Sequence, residues 1–127
     1  MTLLWSMSSS TQLIAPALAK GSGDDRVIDG AAIVAPFGVK YRLIGFDTPE
    51  IHFAKCTEEF ALGMAAKERL AELLASGEVR VIESCRTDKY RRTLAHIEVD
   101  GRHVGEILIG EGLARPYKGG KSRRWCD

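Results

Sequence analysis

The chain has 127 residues, a typical length for one domain, and a large second domain is not expected. Its 18 basic and 17 acidic residues give a formal net charge of +1, so overall charge neither favours nor excludes a nucleic-acid partner. No run of residues is apolar over the length needed to cross a bilayer, so no membrane partner is expected.

Residues 1–22 are predicted to form an N-terminal arm or a signal segment, and residues 23–127 a single domain. The arm has a short apolar patch followed by Ala17-Leu18-Ala19, the small-residue pattern of a signal-peptidase site. No Lys or Arg precedes the patch, so an arm that is not a signal remains the alternative. A signal predicts a secreted or periplasmic protein, and otherwise a cytoplasmic one is expected.

The domain begins with a predicted meander of three short strands. A glycine-rich break over 21–25 precedes two strands within 26–35, which are separated by a bend at Asp29-Gly30. Residues 36–38 form a predicted turn into a third strand over 41–46.

The periodicity then changes from that of a strand to that of a helix. Thr57 is the predicted N-cap, Glu58 and Glu59 lie in the first turn, and the helix is expected to stop at Gly77. Its apolar face is formed by Leu62, Ala66, Leu70, Leu73 and Leu74.

Two more strands and a short helix complete the prediction. Residues 78–84 and 93–99 have strand character, the second ending in the hairpin signal Asp100-Gly101. Residues 104–112 place apolar side chains at helical spacing and end in glycine. Five strands with a helix between the third and fourth predict an α+β fold, a Greek-key barrel of the OB type with a short second helix.

Three segments carry side chains suited to phosphodiester chemistry. Arg42 shares a predicted strand face with Ile44 and Phe46. An acidic loop with Asp47 and Glu50 follows this strand, and a basic loop spans 88–92. Carboxylates supply metal ligands or a general base, and guanidinium groups match phosphate oxygens in a bidentate way. From the residues alone the alternatives stay open: Arg42 paired with Asp47, Glu50 capping a turn, and Arg92 a surface cation.

The chain has three cysteines, and no two of them form a CxxC pair, so a zinc site is disfavoured. Cys56 and Cys126 are candidates for a disulfide that ties the tail to the body, which is expected if the protein is exported. Free thiols in a reducing compartment are the alternative. Cys85 is predicted to be a small buried or loop residue.

Four motifs, in this order, resemble the thermonuclease family typified by staphylococcal nuclease. They lie between Arg26 and Tyr117 and read YRLIGFDTPE, KCTEE, TDKYRRTLAHIEVDG and ILIGEGLARPY. The resemblance implies an OB barrel with helices and calcium-dependent endonucleolytic cleavage of DNA and RNA. The implied products carry a 3′-phosphate and a free 5′-hydroxyl.

The resemblance assigns three catalytic residues. Arg42 matches the arginine that contacts the scissile phosphate, and Arg92 matches a second arginine that acts on the transition state. Glu50 matches the glutamate that orients or deprotonates the attacking water.

The resemblance also assigns metal and substrate contacts. Asp47 matches a calcium-ligand carboxylate, and Thr48 matches the residue that gives its backbone carbonyl to the ion. Lys89 and Tyr90 match the basic and aromatic positions beside the nucleotide's other phosphate.

The chain departs from the family pattern where the usual DGDT is replaced by DGAA, residues 29–32. Ala31 stands where the second calcium carboxylate is expected, so a weakened calcium site is predicted. Asp29 would lie roughly 7 Å along a regular strand and could act only through a water. Arg91 replaces the glycine usual before the second arginine and is expected to restrict that loop.

The leading hypothesis is a calcium-assisted nuclease that hydrolyses DNA or RNA, impaired by Ala31 and acting as a monomer. The alternative is a catalytically inactive nuclease-like domain that binds nucleic acid or protein. Retention of Arg42, Glu50 and Arg92 favours the enzyme.

Overall fold

The computed structural model describes residues 12–14, 27–35, 38–121 and 124–126. These residues form nine strand segments and two helices. In chain order they are β1 (Gln12–Ile14), β2 (Val27–Asp29), β3 (Ala32–Val34), β4 (Lys40–Leu43), β5 (Phe46–Asp47), α1 (Thr57–Ser76), β6 (Val79–Thr87), β7 (Thr93–Val99), β8 (Arg102–His103), α2 (Val104–Gly110) and β9 (Arg115–Pro116).

The main sheet has the strand order β1-β6-β7-β4-β3-β2, with β8 pairing to β7, while β5 and β9 form a separate two-stranded sheet. Every pairing is antiparallel except that of β4 with β7, which is parallel and sets Arg42 opposite Leu94. Arg92 directly precedes β7, so this pairing brings two arginines that are distant in sequence to adjacent strands. The α+β prediction is confirmed, but there are more and shorter strands than the five expected.

The third predicted strand is interrupted. β4 ends at Leu43, and Gly45 has a φ of +96°, a backbone conformation that favours glycine and breaks the alternation of side chains. Phe46 therefore lies in the core with Tyr41 and Leu43 instead of sharing a face with Arg42. The predicted alternation is correct from Tyr41 to Leu43 and wrong at Phe46.

Helix α1 confirms the predicted helix, with one correction at its start. The N-cap is Cys56, not Thr57, and its sulfur accepts a hydrogen bond from the Glu59 amide at 3.4 Å. The helix ends at Ser76, directly before Gly77. Four of the five predicted face residues are buried, and Leu62 is half-buried.

The hydrophobic core is built from strands of both sheets together with α1 and α2. In α2 the buried residues are Val104, Ile107 and Leu108, and this helix ends at Gly110, two residues before the predicted stop. The largest fully buried side chains come from every layer and include Ile33, Leu43, Leu70, Leu74, Ile97 and Leu108. The cleft described below is lined by residues of β2 and β4 and of the loops beside them.

Several predictions fall outside the described residues: the Ala17-Leu18-Ala19 pattern, the glycine-rich break over 21–25, and two residues of the 36–38 turn. Within the predicted N-terminal arm, β1 is described and pairs with β6. No helix in the described part of the chain combines the length and apolarity needed to cross a membrane.

Candidate active site

A surface cleft with a cavity volume of about 670 Å³ collects most of the predicted site residues. Its walls come from the β2–β3 turn, from β4, from the segment after β5 and from the loop before β7. Six of the seven predicted site residues line it, whereas Lys89 does not. The polar lining residues are Asp29, Lys40, Arg42, Asp47, Thr48, Glu50, His52, Tyr90 and Arg92.

Arg42 is fixed by protein contacts within the cleft. Its Nη1 donates to the carbonyl oxygens of Leu43 at 2.9 Å and of Ala31 at 3.2 Å. Its Nη2 lies 3.7 Å from Asp47 Oδ1 in a half-buried ion pair. The pairing with Asp47 that was open as a structural alternative is therefore present, and it holds the guanidinium at the cleft wall.

Arg92 is fixed by Asp88. One carboxylate oxygen of Asp88 accepts the amides of Tyr90 and Arg92, both at 2.9 Å, and the other lies 2.7 Å from Arg92 Nε. Desolvation would raise the pKa of Asp88, but these hydrogen bonds and the Arg92 charge outweigh it and lower that pKa below its ordinary value. Because Nε is used by Asp88, the terminal nitrogens of Arg92 are the ones that can reach a phosphate. In the sequence Asp88 is recognisable only as a member of the loop 88–92, and its role in holding Arg92 was not predicted.

The loop before Arg92 has a strained residue where the family has glycine. Arg91 has a φ of +66°, and its amide donates to the Asp88 carbonyl at 3.0 Å to close the turn. A non-glycine residue in this conformation costs roughly 1–2 kcal/mol. The expected restriction of the loop therefore takes the form of backbone strain.

The Tyr90 side chain projects into solvent beside Lys89 and Arg92 of the same loop. Its side chain is 65% exposed, with Arg92 Cζ 5.4 Å and Lys89 Nζ 5.2 Å from the ring centroid. Lys89 thus contacts the exposed ring at the edge of the cleft instead of lining the cleft itself.

Asp29, Asp47 and Glu50 line the acidic side of the cleft. The pKa of Glu50 is raised, chiefly by burial and further by the nearby charges of Asp29, Asp47 and Glu59, while Arg42 lowers it. Clustered carboxylate oxygens are hard donors of the kind that a divalent cation prefers.

Asp29 is one of the carboxylates that line the cleft, and the strand geometry expected between residues 29 and 31 is wrong. β2 ends at Asp29, and its register with β3 shifts there, so the regular strand assumed for the 7 Å separation does not exist. Asp29 Oδ1 accepts the Ala31 amide at 2.8 Å. The Ala31 side chain is 4% exposed and packs in the core, so this position gives the cleft no oxygen from its side chain.

The segment that carries Glu50 lies against the start of α1. A Cβ atom on Gly63 would lie 2.9 Å from the carbonyl oxygens of Pro49 and Glu50, so only glycine permits this approach. The buried carboxylate of Glu59 accepts the Glu50 amide at 3.0 Å and the Lys55 amide at 2.9 Å. Sequence reasoning recognised Glu59 only as an acid in the first helical turn and missed these contacts.

A disulfide joins Cys56 to Cys126, the pair that the sequence suggested, with Cα atoms 6.1 Å apart. Cys85 is exposed and free. Cys56, Glu59 and Cys126 have the spacing of metal ligands, but the two sulfurs are bonded to each other and supply no thiolate. The bond joins the tail to the start of α1, next to the segment that carries Glu50.

The rest of the tail is held by Arg115 and β9. The Arg115 guanidinium lies 3.7 Å from the Trp125 ring centroid and donates to the Arg124 carbonyl at 2.7 Å. β9 pairs with β5, which sets Arg115 opposite Asp47.

A small α+β domain whose cleft sets two arginines against clustered carboxylates has the architecture of a nuclease-like domain. The sequence profile described as staphylococcal nuclease homologue matches residues 40–124, and the chain belongs to this family.

Two curated relatives come from Bacillus subtilis (strain 168). The chain is 39% identical over 99 residues to the SPbeta prophage-derived endonuclease YokF, an alignment that covers 72% of the chain and 32% of YokF. It is also 39% identical over 99 residues to endonuclease YncB, covering 72% of the chain and 45% of YncB. The chain therefore spans less than half the length of these relatives.

Proposed function

We propose that this chain is a metal-assisted nuclease that hydrolyses phosphodiester bonds of DNA or RNA. The observation that carries the proposal is that Arg42, Glu50 and Arg92 line one cleft, to which the parallel pairing of β4 and β7 brings the two arginines. The matched relatives, which are named endonucleases, support the same class of activity.

The two arginines are suited to the transferring phosphoryl group. Each guanidinium offers a planar set of donors, and both are held by carboxylates before substrate binds. Donors that are fixed in advance lower the free energy of the transition state, because they need no reorganisation as charge develops. Arg42 and Arg92 thus bind the phosphate oxygens and stabilise their growing negative charge.

Glu50 is suited to act as the general base. Its raised pKa brings its proton affinity closer to that required near neutral pH, where a base works best. Glu50 accepts a proton from the attacking water as the new phosphorus–oxygen bond forms and the bond to the leaving oxygen breaks. Its contact with Glu59 through the backbone keeps it at the cleft.

The donor set fits calcium. Asp29, Asp47 and Glu50 bring carboxylate oxygens, and Thr48 brings the carbonyl assigned by family resemblance. When bound, such an ion neutralises charge on the phosphoryl group. Ala31 contributes no side-chain oxygen, so we propose that calcium binds weakly.

Digestion of denatured DNA and of RNA by the purified chain tests the proposal. Cleavage is expected with calcium, loss of cleavage with a chelator, and loss also in Glu50→Gln and Arg92→Gln. Analysis of the product ends should find 3′-phosphates. A wild-type chain that cleaves neither polymer at millimolar calcium would contradict the proposal.

A binding domain without catalysis is the second candidate function. The observation that favours it is the buried, apolar side chain at position 31, where the family has a metal-binding acid. This candidate would be supported if an oligonucleotide or a protein partner binds and no cleavage occurs at any calcium concentration.

Three further expectations belong to the same proposal. A five-stranded Greek-key barrel of the OB type is supported by the path β6-β7-β4-β3-β2 with its single parallel pairing. Export to a secreted or periplasmic location is supported by the disulfide. A monomer is proposed, and size-exclusion chromatography with light scattering tests it.

A further inference from the structure

Glu59 is the one charged side chain that is fully buried in the described part of the chain, at 4% exposure. None of the ion pairs among the described residues includes it. An ionised carboxylate without a counter-charge is costly to bury unless hydrogen bonds satisfy it. The hydrogen-bond partners of the Glu59 carboxylate therefore show how this buried group is stabilised.

Both oxygens of Glu59 are used by the backbone of one short segment. Oε2 accepts the amide of Glu50 at 3.0 Å, and Oε1 accepts the amide of Lys55 at 2.9 Å. These two amides are the first and last of the segment 50–55, whose middle residues, His52 and Phe53, are exposed. Glu59 thus fixes both ends of the segment that begins with the proposed general base.

The disulfide lies directly on this carboxylate. Cys56 is the N-cap of α1 and accepts the Glu59 amide at 3.4 Å, while Cys126 Sγ lies 3.7 Å from Glu59 Oε1. A disulfide sulfur has no proton to donate, so the second contact is packing that excludes water. The bond between Cys56 and Cys126 therefore covers the charged group and anchors the helix end that carries it.

We propose that Glu59 is a positioning residue for Glu50 and that the Cys56–Cys126 disulfide maintains this positioning, so that reduction of the bond lowers nuclease activity. This inference rests on the proposed function. The reductant is a dithiol: two electrons and two protons pass to the cysteine sulfurs, the S–S bond breaks, two thiols form, and the dithiol becomes a disulfide. Released from the bond, the tail no longer shields Glu59, and water competes for its two amide contacts.

The first test compares Glu59→Gln with Glu58→Gln, which removes the same charge from an exposed position in the same helical turn. The amide of Gln places an N–H donor where an oxygen accepted a backbone amide. We expect Glu59→Gln to lower kcat about 10- to 100-fold, with little change in KM, because the base is displaced.

The split between kcat and KM, measured at a temperature at which each variant is folded, separates positioning from general destabilisation. A displaced base lowers kcat and leaves KM near the wild-type value. Glu58→Gln should match the wild type in both constants. Wild-type kcat in Glu59→Gln would overturn the assignment.

The second test uses dithiothreitol on the wild type, Cys85→Ser and Cys126→Ser. The wild type and Cys85→Ser should lose activity reversibly by about tenfold on reduction, whereas Cys126→Ser should be equally low from the start and should not respond. Full activity of the reduced wild type would overturn the role of the disulfide.

Hydrogen exchange of single amides tests the inference even if the chain proves not to be a nuclease. The Glu50 and Lys55 amides should lose protection in Glu59→Gln and on reduction, while the amides of β6 and β7 keep theirs. Loss of protection throughout the domain would show unfolding and not release of one segment, and would overturn the inference, as would unchanged protection at Glu50 and Lys55. A failure of nuclease activity alone would count against the proposed function and not against this coupling.

Discussion

The two walls of the cleft differ in the sign of their charges and in how those charges are paired within the protein. On the cationic wall, formed by Arg42 and Arg92, each guanidinium has a carboxylate partner within the protein, at 3.7 Å and 2.7 Å respectively. On the acidic wall, formed by Asp29, Asp47 and Glu50, Asp47 is the partner of Arg42, whereas no ion pair among the described residues includes Asp29 or Glu50. Both arginines are therefore paired without a ligand, whereas two of the three acids are not.

This difference shows which part of the site is suited to a bound cation. The paired arginines have their geometry set by folding and are ready for a phosphate. The carboxylates of Asp29 and Glu50 are not held in ion pairs among the described residues and offer oxygen ligands to a divalent cation. Because the Ala31 side chain brings no oxygen, the departure at position 31 removes one such ligand from the acidic wall.

The largest expected effect is on the cationic wall. Arg92→Lys should lower kcat by about 10²- to 10³-fold with little change in KM, because lysine loses the planar fork that holds a phosphate. Steady-state kinetics on an oligonucleotide measure it, and Arg86→Lys, an exposed arginine that does not line the cleft, is the control. Equal losses in affinity and turnover would show that Arg92 acts on the ground state.

On the acidic wall, Ala31→Asp should tighten calcium binding by about tenfold, because a charged ligand is added. The side chain at this position is packed in the core, so we also expect the calcium-free variant to lose about 1–2 kcal/mol of stability. Calorimetric titration and melting with and without calcium measure both effects. Ala61→Asp on the exposed face of α1 adds the same charge away from the cleft, and unchanged calcium affinity in Ala31→Asp would mean that the site lies elsewhere.

A smaller effect is expected at Arg91, the strained residue next to Arg92 of the cationic wall. Arg91→Gly should stabilise the fold by about 0.5–1 kcal/mol, since relief of the positive φ exceeds the added freedom of glycine in the unfolded chain. Urea denaturation measures the free energy of unfolding. Arg86→Gly, in β6 and without a positive φ, should destabilise instead, and a loss of stability in both variants would show that Arg91 is not strained.

The smallest expected effect is on the pH dependence of the folding stability, through Glu50 of the acidic wall. Because folding raises the pKa of Glu50, this group contributes stability below its ordinary pKa, and the contribution is lost as pH rises through the folded-state value. Glu50→Gln should therefore raise Tm by about 2 °C near neutral pH, a modest shift because the side chain is solvent-screened, and by less at about pH 3.5. Thermal melts at both values measure it, and an equal shift at both would show a cause other than this ionisation.

Much of the fold follows from periodicity in the sequence. The pattern of apolar residues predicted α1 to within one residue of its observed end, because a long amphipathic run with a terminal glycine permits few alternatives. The break between β4 and β5 was not predictable from alternation, because it depends on the backbone conformation of Gly45. The parallel pairing of β4 with β7 is a long-range contact that no local pattern encodes.

The candidate site likewise contains residues that the sequence pointed to and residues that it did not. The roles proposed for Arg42, Glu50 and Arg92 come from motif resemblance, and they remain predictions that the structure accommodates in one cleft. Asp88 and Glu59 could not be recognised from the sequence, because their roles consist of hydrogen bonds to backbone amides, which any acid in a loop or first helical turn can offer. Such supporting residues become visible only when the backbone is placed.

The disulfide also determines how the two walls are connected along the chain. It closes a covalent ring from Cys56 to Cys126 that contains Arg92, whereas the acidic wall lies on the open segment before the ring. A protease that cuts the exposed turn at residues 119–120 leaves a single covalent molecule, since the bond bridges the cut. A cut in the exposed part of the 50–55 segment instead leaves two polypeptides, one with the acidic wall and one with Arg92. They are held together by non-covalent contacts alone, which include the core and the pairings of β1 with β6, β4 with β7 and β5 with β9. The segment that Glu59 fastens is therefore also the sole covalent link between the acidic wall and Arg92.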